Sequence, residues 1–167
     1  MPRKPANPRT ITLRIHLVGS EPEIWRRVQV PSAMTLFDLH NVIQIAMGWT
    51  DCHLHAFEVE SKRYSKRMDD DDFDIDFIDE DNIRLAKVIT RKGQKFDYTY
   101  DFGDDWRHRL VVEAIEAPEP GQHYPRCLAG KHACPIEDSG NLYGYYDKLK
   151  IIKNPKHEYY AEIAEWM

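Results

Sequence analysis

Between Lys95 and Ala114 the chain reads as two strands joined by a turn. Phe96, Tyr98, Tyr100 and Phe102 alternate strictly with Lys95, Asp97, Thr99 and Asp101. A period of two places the four rings on one side of a strand. Gly103-Asp104-Asp105 supplies turn chemistry, and Trp106, His108, Leu110, Val112 and Ala114 share one face of the return strand. A lone two-stranded ribbon is at best marginal in water, so further strands or a helix must cover this aromatic face.

The N-terminal half offers that cover. Ile11, Leu13, Ile15 and Leu17 alternate with polar residues, and Ile24 to Val30 reads as a partner strand stopped by Pro31. Thr35 and Asp38 fit a helix start, with Thr35 as cap and Asp38 reaching back to it. Leu36, Leu39, Ile43, Ala46 and Met47 follow at helical spacing, and Gly48 is a natural end. Leu54 to Glu60 reads as a third strand. Right-handed crossover predicts that it lies parallel to the first. The fold class expected is α+β: one domain with a mixed β-sheet, a β-grasp-like β-β-α-β opening, a later hairpin and two C-terminal helices. The helices come from Leu142, Tyr145, Tyr146, Leu149 and Ile152, then Tyr160, Ile163, Ala164 and Met167. The second pattern still runs at Met167, which suggests a truncated end.

Charge divides the chain unevenly. The net charge is -5 over 167 residues, yet Asp69 to Asp81 alone hold nine acids and no base. The remainder carries 19 acidic and 23 basic residues. The strip is expected to be a solvated loop whose deletion leaves the fold intact, inside a single domain spanning 10–167. Residues 1–9, with proline at positions 2, 5 and 8, read as a flexible basic arm. The longest stretch free of charged side chains, Leu39 to Thr50, is 12 residues, short of the roughly 18 to 20 needed to cross a membrane. Three widely spaced cysteines give no disulfide framework, so a reducing cytoplasm is the expected location.

Three stretches carry chemistry. In Gly48 to Phe57, His53 and His55 form a His-x-His pair with Asp51 and Cys52 beside it, a weak signal for a divalent metal such as zinc. In Tyr100 to His108, Asp101 and Asp104 sit at a hairpin tip with Trp106 and His108. These residues, with His53 and His55, make a candidate pocket. In His123 to Pro135, Cys127, His132 and Cys134 offer a second set of zinc ligands, although the spacing is not that of a zinc knuckle. Within the acidic strip, Asp72-x-Asp74-x-Asp76 begins like an EF-hand loop, but Phe77 stands where glycine is needed and Ile83 where glutamate is needed. No dinucleotide, phosphate-loop or serine-nucleophile motif is present.

Read in order, these segments resemble the plasmid pRiA4b ORF-3-like family. The resemblance rests on Ile24-Trp25-Arg26-Arg27-Val28, on Gly48-Trp49-Thr50-Asp51-x-His53-Leu54-His55-x-Phe57, and on Tyr98-x-Tyr100-Asp101-Phe102-Gly103-Asp104-Asp105-Trp106-x-His108. Tyr124-Pro125-Arg126-Cys127 and Ala133-Cys134-Pro135-x-Glu137-Asp138 complete it. Relatives often place a cysteine where this chain has Ser139. The resemblance implies a fold and an association with plasmids or mobile elements, with no catalytic residue carried over. Three functions remain in play. The favoured one is a non-catalytic binding module for nucleic acid or a protein partner, with Arg14, Arg26, Arg27, Arg107 and Arg109 as contacts, and the other two are alternatives to it. The others are a metal-assisted hydrolase built on the His/Asp cluster and a zinc-stabilised interaction domain.

Overall fold

The computed structural model describes residues 7–66 and 77–167. Strands β1 (Thr10–Leu17) and β2 (Trp25–Pro31) form the first hairpin, followed by helix α1 (Leu36–Met47) and strand β3 (His55–Val59). Strands β4 (Lys62–Ser65) and β5 (Ile78–Asp79) lead through a single 3-10 turn (Glu80–Asn82) to the short helix α2 (Leu85–Val88). The long hairpin is β6 (Lys95–Tyr100) and β7 (Trp106–Glu116). Strand β8 (Arg126–Lys131) and helices α3 (Asn141–Ile152) and α4 (Tyr160–Trp166) complete the chain.

All eight strands join one sheet in the order β5-β4-β3-β6-β7-β1-β2-β8. The β-β-α-β order is as expected, but β3 is not beside β1. The β6–β7 hairpin lies between them: β1 pairs with β7, and β3 with β6. Each of these pairings is antiparallel, as is the β6–β7 hairpin, so β3 runs opposite to β1; among the described residues β4–β5 is the one parallel pair. A central ribbon flanked on both sides buries both of its edges, and the aromatic alternation specifies that position better than the crossover rule does. Val28 and Val30 of β2, Leu110 and Val112 of β7, and Phe96 and Tyr98 of β6 are all buried in one continuous core.

Helix α1 docks by its predicted apolar stripe: Leu36, Leu39, Ile43 and Met47 are buried. Thr35 and Asp38 form the expected reciprocal cap, and Gly48 closes the helix at φ +83°, a conformation that glycine adopts without a Cβ penalty. Polar residues on the same helix also point inward. Tyr98 Oη lies 2.8 Å from His40 Nδ1 and 2.9 Å from Gln44 Nε2, which ties the helix to β6. His40 stacks on His55 with ring centroids 3.5 Å apart and planes 9° apart. His55 in turn bonds Glu80 at 2.6 Å, where both side chains are buried.

The expected loop at 69–81 is therefore corrected at its end. Residues 69–76, which include the EF-hand ligand positions, lie outside the described residues, as do 1–6 of the basic arm. Ile78 and Asp79 are strand, and Glu80 is fully buried. Burying a carboxylate is costly unless a partner meets it, and His55 is that partner.

Two predictions follow from this interior. Glu80→Ala leaves His55 without its buried partner and should cost about 3 to 5 kcal/mol in chemical denaturation, so a deletion of residues 69–81 should destabilise the fold. His108 is fully enclosed, and burial holds its pKa at about 4. Burial and the neighbouring His55 bring His40 to about 4 as well. The unfolded chain takes up these protons near pH 6.5, whereas the native state resists. Stability is thus full above pH 6.5 and falls toward pH 4, by about 3 kcal/mol for His108 alone. Denaturation at pH 7.5 and pH 5 checks the direction, and His108→Gln should flatten the slope.

Candidate metal centre

The loop between α1 and β3 is wound tightly and held by side chains from elsewhere. Asp51 stands at φ +55°, a left-handed conformation that aspartate tolerates better than most residues. Its N–H donates to Gln44 Oε1 at 2.8 Å, and its carboxylate meets His40 Nε2 at 2.8 Å. Cys52 N–H donates to Tyr100 Oη at 3.1 Å. These bonds fix the direction in which His53 leaves the loop.

His53 Nε2 meets three carboxylates from two other segments. Asp138 Oδ1 is at 2.9 Å, Asp101 Oδ2 at 3.5 Å and Glu137 Oε2 at 3.8 Å. Asp101 ends β6 at φ +56°, and Asp138 lies between β8 and α3 at φ +58°. Asp101 Oδ1 is occupied by the N–H groups of Gly103 and Asp104, which turns Oδ2 toward the imidazole. Glu137 Oε1 accepts from Thr50 N–H at 2.7 Å, Thr50 Oγ1 at 3.2 Å and Tyr100 Oη at 2.9 Å. Its other oxygen, Oε2, is buried with no hydrogen-bond partner. Burial and the adjoining Cys52 and Glu137 push the Tyr100 pKa far upward, so the phenol stays protonated and remains a donor.

A single imidazole N–H does not satisfy three acceptors. Among the described residues, no lysine or arginine pairs with Asp101, Glu137 or Asp138. Two overlapping groups have ligand atoms within 4.8 Å of one another: His53, Asp101 and Asp138, and Cys52, His53 and Glu137. The arrangement offers one nitrogen, carboxylate oxygens and a thiol to a divalent cation. A cavity of about 420 Å³ adjoins it, lined by Cys52, His53, His55, His40 and Lys66 among others.

The other residues of the expected pocket go elsewhere. His55 belongs to the His40–Glu80 cluster, although it lines the same cavity. His40, Asp51 and His55 also bring ligand atoms together, but hydrogen bonds already engage both nitrogens of His40 and Nε2 of His55. Asp104 accepts from Gly140 N–H at 3.0 Å. Trp106 is buried against Trp49, with ring centroids 5.3 Å apart. His108 is enclosed between Tyr98 O and Trp49 Nε1, so it supports the core and does not share an ion with His53. Cys127, His132 and Cys134 form no such ligand group among the described residues. Cys127 is an exposed residue of β8, while Cys134 contacts Arg26 and Met47 Sδ.

Most of the candidate nucleic-acid contacts are engaged within the protein. Arg14 pairs with Glu23, Arg27 with Glu113 and Arg109 with Asp97. The Arg26 guanidinium donates to the carbonyls of Trp25, Ala46, Lys131 and His132. Arg107 is exposed. Glu137 and Asp138 had no role in the sequence reading. Their only signal was an acidic pair at a fixed place after Ala133-Cys134-Pro135.

Fold and site define a single-domain α+β protein with a histidine–carboxylate centre beside a hairpin tip. No helix among the described residues is long and apolar enough to cross a membrane. The chain belongs to the family described as plasmid pRiA4b ORF-3-like protein, which matches residues 9–167. It is 36% identical over 157 residues to the uncharacterised protein y4hQ of Sinorhizobium fredii, covering 93% of this chain and 79% of that one. The crystal structure of MM3350, a protein of unknown function from Methanosarcina mazei Go1, superposes with a TM-score of 0.85 at 35% identity. That match covers 96% of this chain and 90% of the other.

The crowding of carboxylates predicts a trade between stability and binding. In metal-free protein, Glu137→Gln keeps the accepting oxygen and removes one negative charge. It should leave thermal stability unchanged or raise it by about 0.5 to 1 kcal/mol while weakening metal affinity. Differential scanning calorimetry with and without chelator checks both halves.

Proposed function

We propose that the protein holds a divalent metal ion at a centre formed by His53 with ligands drawn from Asp101, Glu137 and Asp138, and that this ion activates water for hydrolysis of a small substrate in the adjoining cavity. The observation that carries this reading is the meeting of three carboxylates on His53 Nε2, one through an oxygen with no other partner. A bound cation would satisfy Glu137 Oε2 and offset the surplus negative charge. It would lower the pKa of a coordinated water, and a carboxylate left outside the coordination shell would accept the proton. A face for nucleic acid has less support, because four of its five arginines are engaged inside the protein.

Protein purified without a histidine tag should take up one zinc ion per chain in isothermal titration at neutral pH. His53→Ala should weaken binding by more than the roughly 10- to 100-fold that loss of an outer partner costs. Chromogenic phosphate and carboxylate esters then test turnover with the metal loaded. Absence of zinc binding sinks the proposal. Binding without turnover on any ester removes the hydrolytic part and leaves a metal-stabilised interaction domain.

A further inference from the structure

The four residues named so far leave one neighbour unused. Cys52 Sγ lies with a His53 nitrogen and a Glu137 oxygen in a group whose ligand atoms are all within 4.8 Å. The thiol is exposed, so an ion can reach it. The two hydroxyls that hold Glu137 also hold Cys52. Tyr100 Oη accepts the Cys52 N–H at 3.1 Å and lies 3.7 Å from Sγ, while bonding Glu137 at 2.9 Å. Thr50 Oγ1 lies 3.4 Å from Sγ and 3.2 Å from the same Glu137 oxygen. Cysteine and glutamate are therefore placed by one support, with Glu137 Oε2 left unpartnered beside them.

We infer that Cys52 is a thiolate ligand of this centre and makes it selective for a zinc-class ion over magnesium or calcium. The inference rests on the metal-binding reading above. Oxygen ligands alone would suit a hard cation, and carboxylates from the hairpin tip and the β8–α3 connection would suffice for one. A sulfur and an imidazole nitrogen change the preference. Zinc and cobalt(II) accept nitrogen, sulfur and oxygen together, whereas magnesium and calcium gain little from a thiolate. On binding, the S–H bond breaks, a metal–sulfur bond forms and the proton passes to solvent. Neither Cys127 nor Cys134 belongs to a ligand group among the described residues, so Cys52 is the thiol placed for this role.

Cobalt(II) serves as the probe, titrated into the full untagged chain under reducing conditions. The expected result is visible d–d absorption together with a near-ultraviolet sulfur-to-cobalt charge-transfer band, saturating at one cobalt per chain. Cys52→Ser should abolish the charge-transfer band, keep the visible absorption and weaken cobalt binding about tenfold. A Cys127→Ser/Cys134→Ser double variant should retain the band. Millimolar magnesium or calcium should not displace the ion from wild-type protein. Visible absorption without a charge-transfer band, identical in wild type and Cys52→Ser, overturns the role of Cys52 and leaves the metal centre standing. Loss of the band in the double variant overturns it too. Failure of cobalt and zinc to bind overturns the metal-binding reading itself and this inference with it.

Discussion

The Tyr100 hydroxyl joins three parts of the chain: β6, the loop before β3 and the connection before α3. It accepts from the Cys52 backbone, donates to Glu137 and sits at the end of β6, whose ring is fully buried. The loop before β3 and the connection before α3 are thereby fastened to the middle of the sheet. The Thr50 bonds to Glu137 and the His53 bond to Asp138 add to that fastening. Because burial keeps the phenol protonated, the bond to Glu137 retains its direction throughout the ordinary pH range.

The interior around this point is unusually polar for a core. His40, His55 and His108 are buried, and all three pack against the Tyr98 ring from α1, β3 and β7. Such groups are tolerable only when their polar atoms find partners or reach solvent. Glu80 answers His55, Asp51 answers His40, and the Tyr98 carbonyl answers His108. The polar core and the histidine–carboxylate cluster share a border at Asp51-Cys52-His53, so the bonds that hold the first also position the second.

Much of the scaffold was legible in the sequence. Strict alternation gave the β6–β7 hairpin, and the Thr35–Asp38 cap with its apolar stripe gave α1. Local periodicity reports which face is buried, but it does not report which strand lies next door; hence β3 is expected parallel to β1, whereas the aromatic hairpin stands between them and the two run in opposite directions. The site was half legible. His53 and Asp101 were named, but His55 and His108 were grouped with them because strand alternation alone cannot separate a core imidazole from a site imidazole. Glu137 and Asp138 meet His53 across more than 80 residues, and contacts of that span leave no periodic trace. Glu80 was hidden for a different reason. It stands among eight other acids, and composition describes the strip as a whole while burial selects one member of it.

The parallel pairing of β4 with β5 has a consequence for how this fold can vary. Tyr64 is paired with Ile78 and Ser65 with Asp79, so the ends of β4 and β5 lie side by side. Glu80 anchors the returning strand through His55, and Leu36 N–H bonds the Ile83 carbonyl just beyond. With entry and exit clasped together, lengthening the segment between them adds only a slowly growing closure entropy, about 0.6 kcal/mol per doubling. A change in the number of residues between Ser65 and Ile78 is thus weighed against the clasp made by the β4–β5 pairing and the Glu80–His55 bond.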